Sequence, residues 1–356
     1  MTEIFNGAKQ LGPLEDSVKY YRICSQLAEH LVKSESQWGS SAQYNIDDIL
    51  DNPSQHFNLF EFQDGSAIPY LNYKEHMRMR TTRNMYLVDP DDQTQLYDKK
   101  LAVFGNSVGR AITKQFVVGG IGNDITMVDP DIVSGSNLNR LGIGNDQIGV
   151  AKVLSTALEL SKIDPYITYR TSIKPYQSGD FGMDTDLVVD EMDDVRSKVL
   201  LALDAREKGV NWMMATDLGR RAIVQGSHFK ANKDDRLFGG KISDREANLL
   251  IESDITPRDE QRFLMKIIGV NNILKEPDLV RSTYKIKQGD LEGIPQLYST
   301  VTKASAYMTE LARPFLLGRI EHSFREVFEP ARLSRQRTPK QILNDLRDIL
   351  SILRHS

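Results

Sequence analysis

The chain has 356 residues, enough for one large domain or two ordinary ones with a sizeable core. Hydrophobic residues make up 40% and charged residues 26%, the balance of a globular protein, and a net charge of −4 excludes a general affinity for nucleic acid. No apolar run approaches the roughly 18 residues of a membrane helix, and no basic segment followed by an apolar one stands at the N-terminus, so the expectation is a cytoplasmic protein with neither membrane nor nucleic acid among its partners.

Residues 1–75 read as a small helix-plus-hairpin domain. Residues 17–33 form an amphipathic helix with Asp16 or Ser17 as N-cap. Tyr20, Cys24, Leu27 and Leu31 share one face of it. Cys24 is the only cysteine; its place on that face makes it a core residue rather than a nucleophile. One cysteine also excludes an internal disulfide and a four-cysteine zinc site, so no zinc is expected. Residues 35–41 read as a loop and 46–50 as a short helix ending before Pro53. Residues 57–62 alternate and meet Asp64-Gly65 before 67–73, the pattern of a hairpin. Arg78, Arg80 and Arg83 then form a basic cluster.

Residues 101–152 organise the rest. An uncharged apolar run at 101–104 reads as a buried parallel strand ended by Gly105. A helix over 108–118 follows, with Gly109 near its start, and then a strand at 125–128 that stops at Asp129, 24 residues after Gly105. Strand, glycine turn, helix, strand and acid place a phosphate on a helix N-terminus and a ribose hydroxyl on a carboxylate. On these residues alone an NAD-dependent oxidoreductase and a plain βαβ unit are both open.

Further on, residues 150–163 read as a helix, 166–170 as a strand, 187–190 as a strand, 195–208 as a helix, and 211–215 as a strand, with antiparallel structure starting at 222–225. This alternation predicts an α/β fold: a Rossmann-like, mainly parallel sheet with helices on both faces, plus the small N-terminal α+β domain. Residues 230–290 are polar and helical, with a cap at Thr256-Pro257, and read as an insertion. A helical stretch at 294–317 closes the main domain, which spans 76–330. Within 331–356, Thr338-Pro339 caps a last helix with Ile342, Leu346, Ile349 and Leu353 on one face.

Five short motifs stand in order across this region: Arg80-x-x-Arg83-Asn84, Asp129-x-Asp131, Ser136-Asn137-Leu138-x-Arg140, Gly149-x-x-Lys152 and Asp190-x-x-Asp193. On them the chain resembles the adenylating family that includes the ubiquitin-activating enzymes and the bacterial ThiF and MoeB proteins. The resemblance implies ATP and Mg²⁺. It assigns nucleotide contacts to Gly105, Asn106, Ser107, Asp129, Asn137, Arg140 and Lys152. Arg140 and Lys152 neutralise the phosphates, Asp193 holds Mg²⁺, and Arg83 reaches into the partner subunit of a homodimer. Asp193 has a second reading, as the cap of the helix starting at Val195; Asp190 and Asp194 are expected to be structural.

The chain departs from the family in its phosphate loop, where G-x-G-G-x-G is usual. Here only Gly105 falls on the pattern, and Asn106, Ser107 and Arg110 are the candidate replacements, as side-chain donors and as a charge. A weakened site is the other reading. The zinc cysteines and the thioester-forming cysteine of some relatives are also missing. The small N-terminal domain resembles that of the peptide-modifying branch, of the microcin C and pantocin A type, where it clamps a leader peptide; a dimer arm or a cap are the alternatives. Arg220 and Arg221 stand where the family receives its substrate tail, and either suit an acidic peptide or are simply exposed. The resemblance thus implies ATP-dependent acyl-adenylate formation on a ribosomally made precursor peptide, without an enzyme thioester. An inactive ThiF-like scaffold or an NAD-dependent oxidoreductase is the alternative.

Overall fold

The computed structural model describes residues 3–5, 7–16, 18–38, 44–291 and 293–329, with Asn344 and Arg347. The helix expected within 331–356 lies outside the described residues, those two apart. Among the described residues eleven strands form two sheets. In chain order they are β1 (Glu3–Phe5), β2 (Ala8–Pro13), β3 (Phe57–Phe62), β4 (Ala67–Leu71), β5 (Lys100–Phe104), β6 (Asp124–Val128), β7 (Thr168–Ser172), β8 (Leu187–Asp190), β9 (Asn211–Leu218), β10 (Arg221–Ser227) and β11 (Phe324–Phe328).

The large sheet has the order β1-β7-β6-β5-β8-β9-β10-β11. Strands β7, β6, β5, β8 and β9 are mutually parallel, and β1 on one side and β10 and β11 on the other run antiparallel. From β5 the chain moves one way to β6 and β7, then returns to lay β8 on the other side of β5. That reversal is a topological switch point, where the loops leaving the strand ends diverge and open a crevice.

Alternation along β5 decides what covers each face. Leu101 and Val103 point into one core with Ile112 and Phe116 of the Val108–Val118 helix and with Val301, Met308 and Phe315 of the Tyr298–Leu316 helix. Ala102 and Phe104 point into the opposite core with Val188, Val199, Trp212 and Phe238. Helices therefore lie on both faces, as the continuous apolar strands require.

The small sheet, β2-β3-β4, is antiparallel, and the Tyr21–Gln37 helix packs on it through Cys24, Ala28 and Leu31. The expected hairpin is β3 and β4. Strand β2, bulged between Gln10 and Gly12, carries no clear alternation and was not expected, nor was β1, which leaves this unit to join the large sheet. The helix runs three residues into the stretch expected to be a loop. Tertiary contacts carry it on: Glu35 pairs with Arg78 at 2.9 Å, and the Trp38 indole N–H just beyond donates to the Arg78 carbonyl. Strand β7 begins two residues later than expected, because the Asp164 carboxylate accepts the Tyr166 N–H and holds a turn there.

A buried junction joins the two parts. Asp164 accepts from Arg80 Nη2 and from the Tyr97 hydroxyl, each at 2.8 Å, while Tyr70 donates to the Lys162 carbonyl and Tyr166 to that of Leu71. Residues 230–290 form four helices, with capping boxes at Ser243 and Thr256. Ala247 and Leu250 of the first and Ile267 of the second pack onto the core beside the Val195–Lys208 helix.

Candidate functional site

The switch point is built around Gly105. It ends β5 with φ +86°, and a Cβ there would lie 2.3 Å from the Glu191 carbonyl oxygen. Only glycine lets the loop after β5 pass that close to the loop after β8. The Asn106 N–H turns to the Asp129 carboxylate, and the Asn106 side chain is fully buried, accepting from Thr156 Oγ1 at 2.8 Å. Asn106 Nδ2 and Ser107 Oγ are buried without a protein partner. Ser107 occupies the N-cap position of the 11-residue Val108–Val118 helix without a side-chain capping bond, and the first N–H groups of that helix have no intrahelical acceptor. Two side-chain donors and a helix N-terminus thus stand where the family has glycines.

Arg110 does not serve the loop. Its guanidinium donates to Ser155 Oγ and Thr156 Oγ1 at 3.1 and 3.0 Å and pairs with Glu159, all on the Lys152–Ser161 helix. It sits on the third helical residue, and its buried side chain is drawn sideways between two helices rather than toward the N-terminus.

Asp129 ties the end of β6 to this loop. One oxygen accepts from the Asn106 N–H and the other from the Asp131 N–H at 2.8 Å. Burial raises its pKa above the ordinary carboxylate value, against the pull of the Lys152 charge and the two N–H bonds. Lys152 opens its helix and reaches Asp131 at 2.7 Å. Asn137 is buried and takes part in a capping box, accepting the Ser134 N–H on Oδ1. Arg140 donates from Nη1 to the Ser136 carbonyl at 2.8 Å and to Asn139 Oδ1, and its Nε is buried without a partner.

Past β8, Asp194 rather than Asp193 caps the Val195–Lys208 helix, accepting the Ser197 N–H at 2.7 Å. Asp190 is buried and paired with Lys198 at 3.1 Å. Asp193 is exposed and has no hydrogen bond or ion pair with any described residue. Near it stands a residue that the sequence did not single out. Asp217, near the end of β9, accepts from Gln296 Nε2 at 3.2 Å on Oδ1, while its Oδ2 is buried and unpartnered. Burial pushes this carboxyl up to about 6; the Gln296 bond opposes the rise, the Asp193 charge adds to it, and the Arg140 charge opposes it. Gln296, also missed, lies in the segment before the Tyr298–Leu316 helix, and its carbonyl accepts from Asn139 Nδ2 at 3.0 Å. Through Gln296 that segment joins Asn139 on one side of the site to Asp217 on the other. The only sequence signal for Asp217 was a carboxylate just past a buried strand, two residues beyond the expected strand end.

Three arginines stand apart. Arg83 lies in the Thr82–Asn84 turn, exposed and free of any hydrogen bond or ion pair with the described residues. Tyr86 and Leu87 beside it are 100% and 91% exposed. Arg221 is not an exposed partner for an acidic tail: it is buried, paired with Glu276 at 2.9 Å and with Glu329. Arg220 lies 3.6 Å from Asp278.

Residues 80–249 match the ThiF family. The chain carries a ThiF-family domain. The uncharacterized protein MT1398 of Mycobacterium tuberculosis is 26% identical over 255 residues, covering 71% of this chain and 35% of that protein. The molybdopterin-synthase adenylyltransferase of Haemophilus influenzae is 32% identical over 103 residues, 28% of this chain and 42% of that one. The chain therefore spans less than half the length of these relatives. A crystal structure of PaaA shares the fold at TM-score 0.52 and 14% identity, over 89% of this chain and 95% of that one. ThiF-family adenylyltransferases use ATP with Mg²⁺. The donor set fits both. Unpartnered donors at Asn106, Ser107 and Arg140 suit a polyphosphate, and the free oxygens of Asp193 and Asp217 suit a hard cation.

Proposed function

We propose that this ThiF domain activates a carboxylate with ATP. A substrate carboxylate oxygen attacks the α-phosphorus, the bond to the bridging oxygen breaks, and pyrophosphate leaves, giving an acyl-adenylate. The observation that carries this reading is the gathering at one switch point of a helix N-terminus, Asp129, Lys152, Arg140 and an unpartnered Asp193. An oxidoreductase or a scaffold leaves Arg140, Lys152 and Asp193 without a task. Gly105, Asn106 and Ser107 line the phosphates and Asp129 takes the ribose, with Asn137 shaping the turn that aims Arg140. Arg140 and Lys152 stabilise the charge that grows on the leaving pyrophosphate. When bound, Mg²⁺ adds positive charge at the phosphate oxygens, and Asp193 would hold it. Cys24 takes no acyl group: it is fully buried and burial pushes its thiol up to about 11.

Calorimetry tests this directly, with ATP·Mg²⁺ and NAD titrated into wild type and into Asp129→Ala, Lys152→Ala and Asp193→Ala. The expected result is ATP binding that each substitution weakens at least tenfold, the last only when Mg²⁺ is present. Tighter binding of NAD than of ATP, or no ATP binding at millimolar concentration, overturns the reading.

The substrate in this proposal is a precursor peptide, gripped by the β2–β4 unit; the resemblance to the peptide-modifying branch supports it. A photoreactive peptide that releases AMP should label residues 8–71, whereas labelling confined to the main domain would remove the clamp. The assembly is a homodimer in which exposed Tyr86 and Leu87 carry Arg83 to the partner's phosphates. Mixing inactive Arg83→Ala with inactive Asp193→Ala should then restore about a quarter of the activity, because mixed dimers hold one intact site. No recovery on mixing places Arg83 in its own subunit.

A further inference from the structure

We propose that Asp217 is a second carboxylate for the divalent cation that Asp193 would hold, so that the ion is taken between the ends of β8 and β9, facing Arg140. This deepens the adenylation reading and rests on it. The strand register supplies the first argument. Leu187, Val188 and Val189 pair with Asn211, Trp212 and Met213, an offset of 24 residues throughout. Beyond those pairs the Glu191 side chain accepts the Ala215 N–H at 2.7 Å, so the segment after β8 stays against β9. Asp193 follows two residues after Glu191 and Asp217 two after Ala215, and the Asp193 charge acts on Asp217. Both carboxylates therefore stand at the carboxyl ends of neighbouring parallel strands, on the edge where the crevice opens.

The second argument is what each oxygen touches. The Asp193 carboxylate has no partner among the described residues. Gln296 holds Asp217 by Oδ1, which leaves Oδ2 buried and bare. A buried carboxylate oxygen without a donor is costly, and native structures rarely leave one unfilled. Of the neighbouring acids, Asp190 also keeps a bare buried Oδ2, but its Oδ1 is paired with Lys198 and accepts the Met192 N–H, and Glu191 accepts the Ala215 N–H. Arg140, the nearby cation, has its own unfilled Nε. Two anionic oxygens on one side and a guanidinium on the other frame a phosphate bridged by a hard divalent ion. An ion held on one exposed carboxylate alone would exchange freely; a second, anchored oxygen fixes its place.

The test uses Mn²⁺ as probe and the full chain saturated with α,β-methylene-ATP, with free Mn²⁺ read by electron paramagnetic resonance. Asp217→Asn keeps size and the Gln296 contact. It should weaken Mn²⁺ binding at least tenfold, as should Asp193→Asn, while metal-free affinity for the analogue stays within about twofold. Unchanged Mn²⁺ affinity in Asp217→Asn, or loss of the metal-free nucleotide, removes this role for Asp217. In wild type labelled with carboxyl-¹³C aspartate, hyperfine coupling to two carboxylates is expected; coupling to one overturns the proposal without any variant. If wild type binds neither analogue nor Mn²⁺, the adenylation reading itself has failed.

Discussion

Gly105 shows why one glycine survives in a loop whose relatives carry several. The reason is not the phosphate alone but the loop from β8, whose Glu191 carbonyl would meet a Cβ at 2.3 Å. The backbone is also in the left-handed region, at φ +86°. Gly105→Ala should cost at least about 2 kcal/mol, strain and clash together, and should abolish nucleotide binding in what remains folded. Thermal melts and ATP titration check the two effects separately. Asn106 needs no glycine: its backbone and side chain are both used, toward Asp129 and Thr156.

At the scale of elements, Arg110 clamps the Val108–Val118 helix to the Lys152–Ser161 helix. Its partners Ser155, Thr156 and Glu159 all lie on the second helix. Glu159 keeps a second cation, Lys114, when Arg110 is removed. Arg110→Met should therefore destabilise by about 2–3 kcal/mol, below the full cost of stranding a buried charge. ATP affinity of the folded variant should stay within about twofold, because the guanidinium faces away from the loop. Denaturant midpoints and calorimetry measure both; a tenfold loss of affinity would instead make Arg110 a phosphate ligand.

For the whole molecule, the buried junction between the β2–β4 unit and the large sheet makes stability depend on pH. His76 Nε2 donates to the Ile163 carbonyl at 3.2 Å, and its Nδ1 is buried without a partner. Burial pushes its pKa down to about 4, with Asp164 opposing and Arg80 adding. The folded value lies below the ordinary 6.5, so the folded state binds fewer protons than the unfolded one. This contribution is complete above pH 6.5 and is lost as pH falls from there toward 4, roughly 3 kcal/mol across the window. His76→Gln should flatten the fall between pH 6.5 and 4 while leaving the acid transition of other carboxylates in place. Denaturant midpoints at pH 7.5, 5.5 and 4.5 provide the comparison.

The sequence by itself determined the parallel core and half of the candidate site. Gly105, Asp129 and the Val108–Val118 helix belong to one strand–turn–helix–strand unit, whose geometry local spacing dictates, and Arg140 and Lys152 follow within 23 residues of Asp129. Uninterrupted apolar runs announced strands buried on both faces. The tertiary structure alone decided the rest. Asp217 and Gln296 stand 79 residues apart and meet because the Tyr298–Leu316 helix returns to the sheet beside β9. Arg110 and Arg221 were claimed by acids brought in from other elements. Charge is legible in a sequence, but its partner is set by burial, since a charge leaving water takes whichever opposite charge the fold places within reach.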